Sequence, residues 1–151
     1  MQFSTKVRYG LYAMIELACR HDGTPKVLGG VAKHQGISPK YLHAVMQQLK
    51  LAGLVRTVRG AHGGFVLTRD PTEISLIQVV EALDGPIGVT ECSKLESGCE
   101  RSSRCVARRV WCQVSNSIRD VLEGQTLAQI ASEVDCHEQG LMAAPDPPCD
   151  E

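Results

Sequence analysis

Apolar residues recur at helical steps over the first fifty positions, alternate briefly, and then return to helical steps. Val7, Leu11, Met14, Ile15 and Ala18 stripe a first helix that Ser4 or Thr5 can cap and His21-Asp22-Gly23 ends. Spacing permits a short second helix from about Leu28 to Gln35, although Gly29 and Gly30 each weaken it by roughly 1 kcal/mol against alanine. A third helix runs from Pro39 to about Ala52: Ser38 can cap it, Pro39 suits its first position, and Gly53 can take the left-handed conformation that stops it. Leu42, Val45, Met46 and Leu49 fall on one side of this helix. Lys40, Tyr41, His43, Ala44 and Gln47 face elsewhere.

Two β-rich runs follow, Leu54 to Val58 and Phe65 to Thr68, around a turn holding Arg59, Gly60, Gly63 and Gly64. Asp70-Pro71 breaks the chain, and Ser75 with Gln78 has the form of a capping box opening a helix to about Asp84. Residues 106 to about 123 form the longest helical pattern, in which Ala107, Trp111, Val114, Ile118 and Val121 recur at steps of 4, 3, 4 and 3. With no second long helix to cover it, this seam predicts pairing with a second copy; a helix laid back on the first half is the alternative. Thr126 can cap a last short helix to about Glu133, and the proline-bearing tail is expected to be disordered.

The fold class expected is therefore mainly α with a small β-hairpin wing: a winged helix-turn-helix followed by a long dimerisation helix. Its parts are the winged unit at 1–70, a connecting helix and loop at 71–91, a cysteine-rich loop at 92–105, the dimerisation and final helices at 106–133, and the tail at 134–151.

Charge sharpens this picture. Residues 1–70 carry 10 Lys or Arg against 3 Asp or Glu, and residues 71–151 carry 6 against 14, so the overall −1 hides a basic half. A capped helix with a small polar face suits a major groove, and an arginine in a glycine-rich hairpin suits a minor groove. For either piece alone a solvated face is the simpler reading. Together they point to double-stranded DNA. Candidate contacts are Ser38, Pro39, Lys40, Tyr41, His43, Ala44 and Gln47 on the helix, and Arg59, Gly60, Gly63 and Gly64 on the wing.

No export signal or bilayer-length apolar run is visible, so the expected location is the cytoplasm, with no membrane partner. Seven cysteines in a reducing compartment are poor disulfide candidates. Cys19, near the end of the first stripe, is expected to be a small core residue. Cys92, Cys99 and Cys105 instead cluster within 14 residues, and three thiolates so close can converge on a soft centre, either an iron-sulfur cluster or zinc. Spacing alone does not choose between them, and three ligands are one short. No Ser-His-Asp set, Walker loop or dinucleotide glycine motif is present, so no enzyme and no small-molecule substrate are expected.

Several stretches resemble the bacterial winged-helix transcription regulator family of IscR, NsrR and CymR. These are the start from Met1 to Ala13, the run Gly36-Ile37-Ser38-Pro39-Lys40-Tyr41-Leu42, the wing from Val58 to Phe65, and the three spaced cysteines. The resemblance implies a homodimer that binds an imperfect palindrome, with an iron-sulfur cluster on Cys92, Cys99 and Cys105, a 2Fe-2S cluster ahead of a 4Fe-4S one. A zinc-stabilised structural or interaction module without redox sensing is the alternative.

This chain departs from the family pattern at three positions. One branch completes the site with a histidine three residues after the third cysteine, where this chain has Arg108; another uses a partner carboxylate at the position of Arg8. Cys112 is then the first candidate for a fourth ligand, because it follows Cys105 by seven residues and shares its helix face. Glu91, Glu100, a partner-subunit group and an external thiol stay open. His43 replaces a glutamate that discriminates operators in one branch, so no target sequence carries over.

Overall fold

The side-chain oxygen of Ser38 accepts a hydrogen bond from the Tyr41 N–H at 3.1 Å and caps the helix that follows it. The structure, a computed structural model, describes residues 2–19, 21–94 and 104–134. Cys99, Glu100 and the tail beyond Val134 lie outside the described residues.

The described elements are α1 (Thr5–Cys19), α2 (Gly29–His34), α3 (Pro39–Leu51), β1 (Val55–Val58), β2 (Gly64–Leu67), α4 (Leu76–Asp84), α5 (Val106–Glu123) and α6 (Leu127–Glu133), with short 3-10 turns at Pro71–Glu73 and Glu91–Ser93. The fold is mostly helical with one antiparallel hairpin, Val55 pairing with Leu67 and Val58 with Gly64.

α1 is the hub, packing against α3, α4 and α6. Its close approach to α4 depends on Gly10, where an added Cβ would lie 2.4 Å from Leu83 Cδ1. Met14, Met46, Leu49, Ile74 and Leu127 are fully buried around it, each worth roughly 1.5–3 kcal/mol of transfer free energy. α3 buries Leu42, Val45, Met46 and Leu49, the four positions its spacing predicts.

α4 and α6 start side by side. Leu76 N–H donates to Gln125 O and Leu127 N–H to Ile74 O, both at 2.9 Å. Gln78 Oε1 accepts from Ser75 N–H at 3.3 Å, and Gln129 Oε1 accepts from Thr126 N–H at 2.7 Å, so both predicted capping residues reach back as the sequence requires.

Two features depart from expectation. Lys26, for which the sequence pattern predicts no strand, exchanges two 2.9 Å main-chain hydrogen bonds with Phe65 and adds a one-residue third rung to the wing. Cys19 is disulfide-bonded rather than a small core thiol. It is the last residue of α1, half-buried and packed against the core.

Candidate nucleic-acid interface and thiol centre

Capping and burial set the exposed face of α3. With Leu42, Val45, Met46 and Leu49 turned inward, Ser38, Pro39, Lys40, His43 and Ala44 are exposed and Gln47 is half-buried. Tyr41 is held differently. Its ring meets Tyr9 edge-on at 6.0 Å and its hydroxyl lies 3.3 Å from Thr5 Oγ1, so it braces α3 against the first turn of α1. Arg8 lies over the Tyr9 ring at 4.8 Å and donates to the Tyr9 hydroxyl at 2.9 Å. Sequence reasoning missed this brace, because Thr5 and Tyr9 lie 36 and 32 positions before Tyr41.

α3 and the wing form one surface. Lys50 Nζ donates to Thr57 Oγ1 at 3.1 Å, and the His43 ring meets Phe65 edge-on at 6.0 Å. Arg56 and Arg59 are exposed on the wing. The wing glycines have reasons of their own: Gly60 has φ of +119°, while a Cβ at Gly63 or Gly64 would lie 2.4 Å from the carbonyl oxygen of Val58 or Lys26 respectively. These glycines let the hairpin turn tightly and pack on Lys26, which keeps the wing beside α3.

The thiol-bearing segments meet across α5. Cys105 is the N-cap of α5, its sulfur accepting from Arg108 N–H at 3.4 Å. Arg108 Nε donates to the Cys92 carbonyl at 2.8 Å. Ser115, the one buried residue of α5, accepts from Val89 N–H at 3.1 Å and lies 3.1 Å from Ser93 Oγ. Cys92 sits between these two attachments, with Thr90 Oγ1 3.1 Å from its sulfur.

Cys92, Cys105 and Cys112 stand outside any disulfide. Cys105 and Cys112, two turns apart on one side of α5, line an open hollow of about 480 Å³ with Arg104, Arg108 and Arg109. The first turn of α5 has no acidic residue, so three guanidinium groups gather at the positive end of its dipole. Such an arrangement favours an anion, and thiolate sulfur is one. Glu91 is paired with Lys94 at 2.5 Å. Among the described residues no three His, Cys, Asp or Glu side chains come together as a metal site, and Cys99 lies outside them. The donor chemistry itself, soft sulfur beside cationic side chains, fits an iron-sulfur or zinc centre.

The remaining side of α5 is apolar and uncovered. Val106, Val110, Trp111, Val114 and Val121 are 40–70% exposed. Ala107 is exposed too, but Ile118 is half-buried and packs with Leu122 against the core. Arg119 pairs with Glu81 of α4. The helix therefore lies on α4 along one edge and presents its valines away from it, and Cys112 is turned away from that apolar stripe. No helix among the described residues is long and apolar enough to cross a membrane.

Comparison with known proteins agrees with this geometry. A family model named Rrf2, described as an iron-dependent transcriptional regulator, matches residues 3–133. The chain is 35% identical over 142 residues to the transcriptional regulator CymR of Bacillus subtilis, covering 94% of this chain and 98% of that protein. It is 34% identical over 135 residues to the regulator IscR of Serratia proteamaculans, covering 89% and 82% respectively. The solved structure of CymR, the global cysteine regulator of B. subtilis, superposes with a TM-score of 0.73 at 35% identity over 89% of this chain and 99% of that one. T. potens IscR superposes with a TM-score of 0.70 at 34% identity, over 96% and 94%.

Proposed function

Because the chain belongs to the Rrf2 family of transcriptional regulators, not to a family of enzymes, we propose that it is a homodimeric DNA-binding repressor whose hold on an imperfect palindrome responds to an iron-sulfur cluster. Cys92, Cys99 and Cys105 are the proposed ligands, with Cys112 as the fourth, and a 2Fe-2S cluster is placed ahead of a 4Fe-4S one.

One observation carries the reading: Arg108 joins the Cys92 segment to the N-cap thiol of α5, in the turn that opens the hollow shared with Cys112. A bound cluster supplies a redox- and ligand-sensitive anion at that point. The chain's own residues do the rest. Arg108 and Ser115 seat residues 89–93 on α5, and Arg119 with Glu81 fixes α5 to α4, which packs on α1 and α3. A change at the thiols is thereby tied to the base of the recognition helix. In a dimer formed through the valine face of α5, it would reset the spacing of the two helices against half-sites separated by whole DNA turns.

Iron and sulfide analysis of anaerobically purified protein tests the reading, paired with the Cys92, Cys99, Cys105 triple alanine variant. Iron and sulfide bound to the parent and lost from the variant support it. Stoichiometric zinc without sulfide favours the structural-module alternative, and a metal-free parent contradicts both.

A further inference from the structure

His43 and Gln47 stand one turn apart on the wing-facing side of α3, and their side chains touch. Gln47 Nε2 lies 3.4 Å from His43 Nε2, and the His43 ring stands edge-on to Phe65 at 6.0 Å and 63°. An amide nitrogen only donates, so this contact is a hydrogen bond from Gln47 Nε2 to the ring nitrogen in the His43 tautomer that leaves Nε2 as the acceptor. One N–H of Gln47 is thus committed. The amide carries a donor and an acceptor side by side at the end of a half-buried stem.

From this arrangement we infer that Gln47 is a specificity-determining residue that reads an adenine in the major groove, with His43 and Phe65 as its positioning residues. An adjacent donor and acceptor match adenine N7 and N6–H and no other base edge as well. Phe65 belongs to β2, whose backbone is fixed on Lys26, so the wing sets the His43 ring and the ring sets the amide. Fixing the amide before binding removes part of the side-chain ordering cost, which concentrates discrimination at one base. Lys40 and Arg56 supply phosphate attraction that carries no sequence information. The inference rests on the DNA-binding reading above and adds the base that is read.

The test is enrichment from a randomised duplex library with the full chain, followed by affinity measurement on the enriched duplex. The parent is expected to enrich one invariant adenine per half-site. Replacing it should cost between about tenfold and a hundredfold in affinity. Gln47→Met keeps the half-buried stem and should lose preference at that position alone. Gln47→Glu should move it towards cytosine, whose N4–H needs an acceptor. Phe65→Leu should blunt the preference while non-specific binding and its salt slope stay unchanged, and Phe65→Tyr should retain it.

An enriched motif that Gln47→Met and Gln47→Glu leave unchanged overturns the assignment. So does a uniform loss of affinity with an altered salt slope, which marks a phosphate contact. A parent that enriches no motif overturns the DNA-binding reading itself.

Discussion

Arg108 Nε donates a 2.8 Å hydrogen bond to the main-chain carbonyl of Cys92. The same residue's N–H points at the Cys105 sulfur, so one arginine touches both cysteine-bearing segments. It serves as a strut between them. Arg108→Ala should release the 89–94 segment from α5, at a local cost of about 1.5 kcal/mol. Amide hydrogen exchange at Val89 and Ser93 reports it as roughly tenfold faster exchange. Arg108→Lys should not restore protection, because an ammonium lacks the planar fork that reaches the carbonyl. Unchanged exchange in Arg108→Ala contradicts the strut.

Gly64→Ala should be worse than Gly10→Ala, although Gly10 is in the core and Gly64 is not. At Gly64 the new Cβ meets the main-chain oxygen of Lys26, which cannot move without breaking the rung it forms with Phe65. At Gly10 it meets the far end of Leu83, which can change rotamer. Overpacking of this kind costs about 1–3 kcal/mol, with Gly10→Ala expected at the low end. Urea midpoints of the two variants give the order directly, and the reverse order counts against the wing geometry.

Neighbouring residues of α5 should separate assembly from folding. Val114 is 40% exposed on the apolar stripe, whereas Ile118 packs against the core. Val114→Glu is expected to yield a folded monomer by sedimentation equilibrium, with its thermal midpoint little changed at low concentration. Ile118→Glu should lower stability by about 2 kcal/mol or more through its buried charge. A dimer that survives Val114→Glu places the interface elsewhere.

Acid stability should report the link between the wing and α4. Hydrogen bonds from the Thr72 hydroxyl, at 2.6 Å, and the Thr72 N–H, at 2.9 Å, hold the Asp70 carboxyl below the ordinary 3.8. Below 3.8 and above the native value the unfolded chain binds more protons, so stability rises with pH across that window. The contribution is complete above it and lost as pH falls through the native value. Asp22, lowered by the Thr24 N–H first, behaves alike. Asp70→Asn should therefore flatten the stability-pH slope below the ordinary 3.8 without changing its sign. An unaltered slope contradicts the assignment.

Much of this architecture is legible in the sequence, because caps and periodicity are local. Ser38, Ser75 and Thr126 stand where helices begin, and Gly53, with φ of +74°, stands just past the end of α3. The apolar positions of α3 point inward as their spacing requires. What the sequence hides is long-range pairing. Nothing near Lys26 announces its rung with Phe65, and nothing near Tyr41 announces Thr5 and Tyr9. A heptad count groups Ile118 with Ala107, Trp111, Val114 and Val121, yet α5 rests on α4 along the Ile118 side, so Ile118 packs against the core while the other four stay exposed. Of the three spaced cysteines, Cys92 and Cys105 lie on the two segments that Arg108 touches, and Cys99 lies outside the described residues. The strut of Arg108 and the seat of Ser115 are not legible in the sequence, because each reaches a segment more than 15 positions away.

The central claim, that an iron-sulfur centre governs DNA binding, is tested most directly by measuring affinity for one enriched duplex while the cluster is removed from the same anaerobic sample. Absorbance tracks the cluster and fluorescence anisotropy tracks the duplex, at fixed salt. The account predicts a change of tenfold or more in Kd that follows cluster loss and vanishes in the Cys92, Cys99, Cys105 triple alanine variant. An affinity that stays constant as the colour disappears contradicts it.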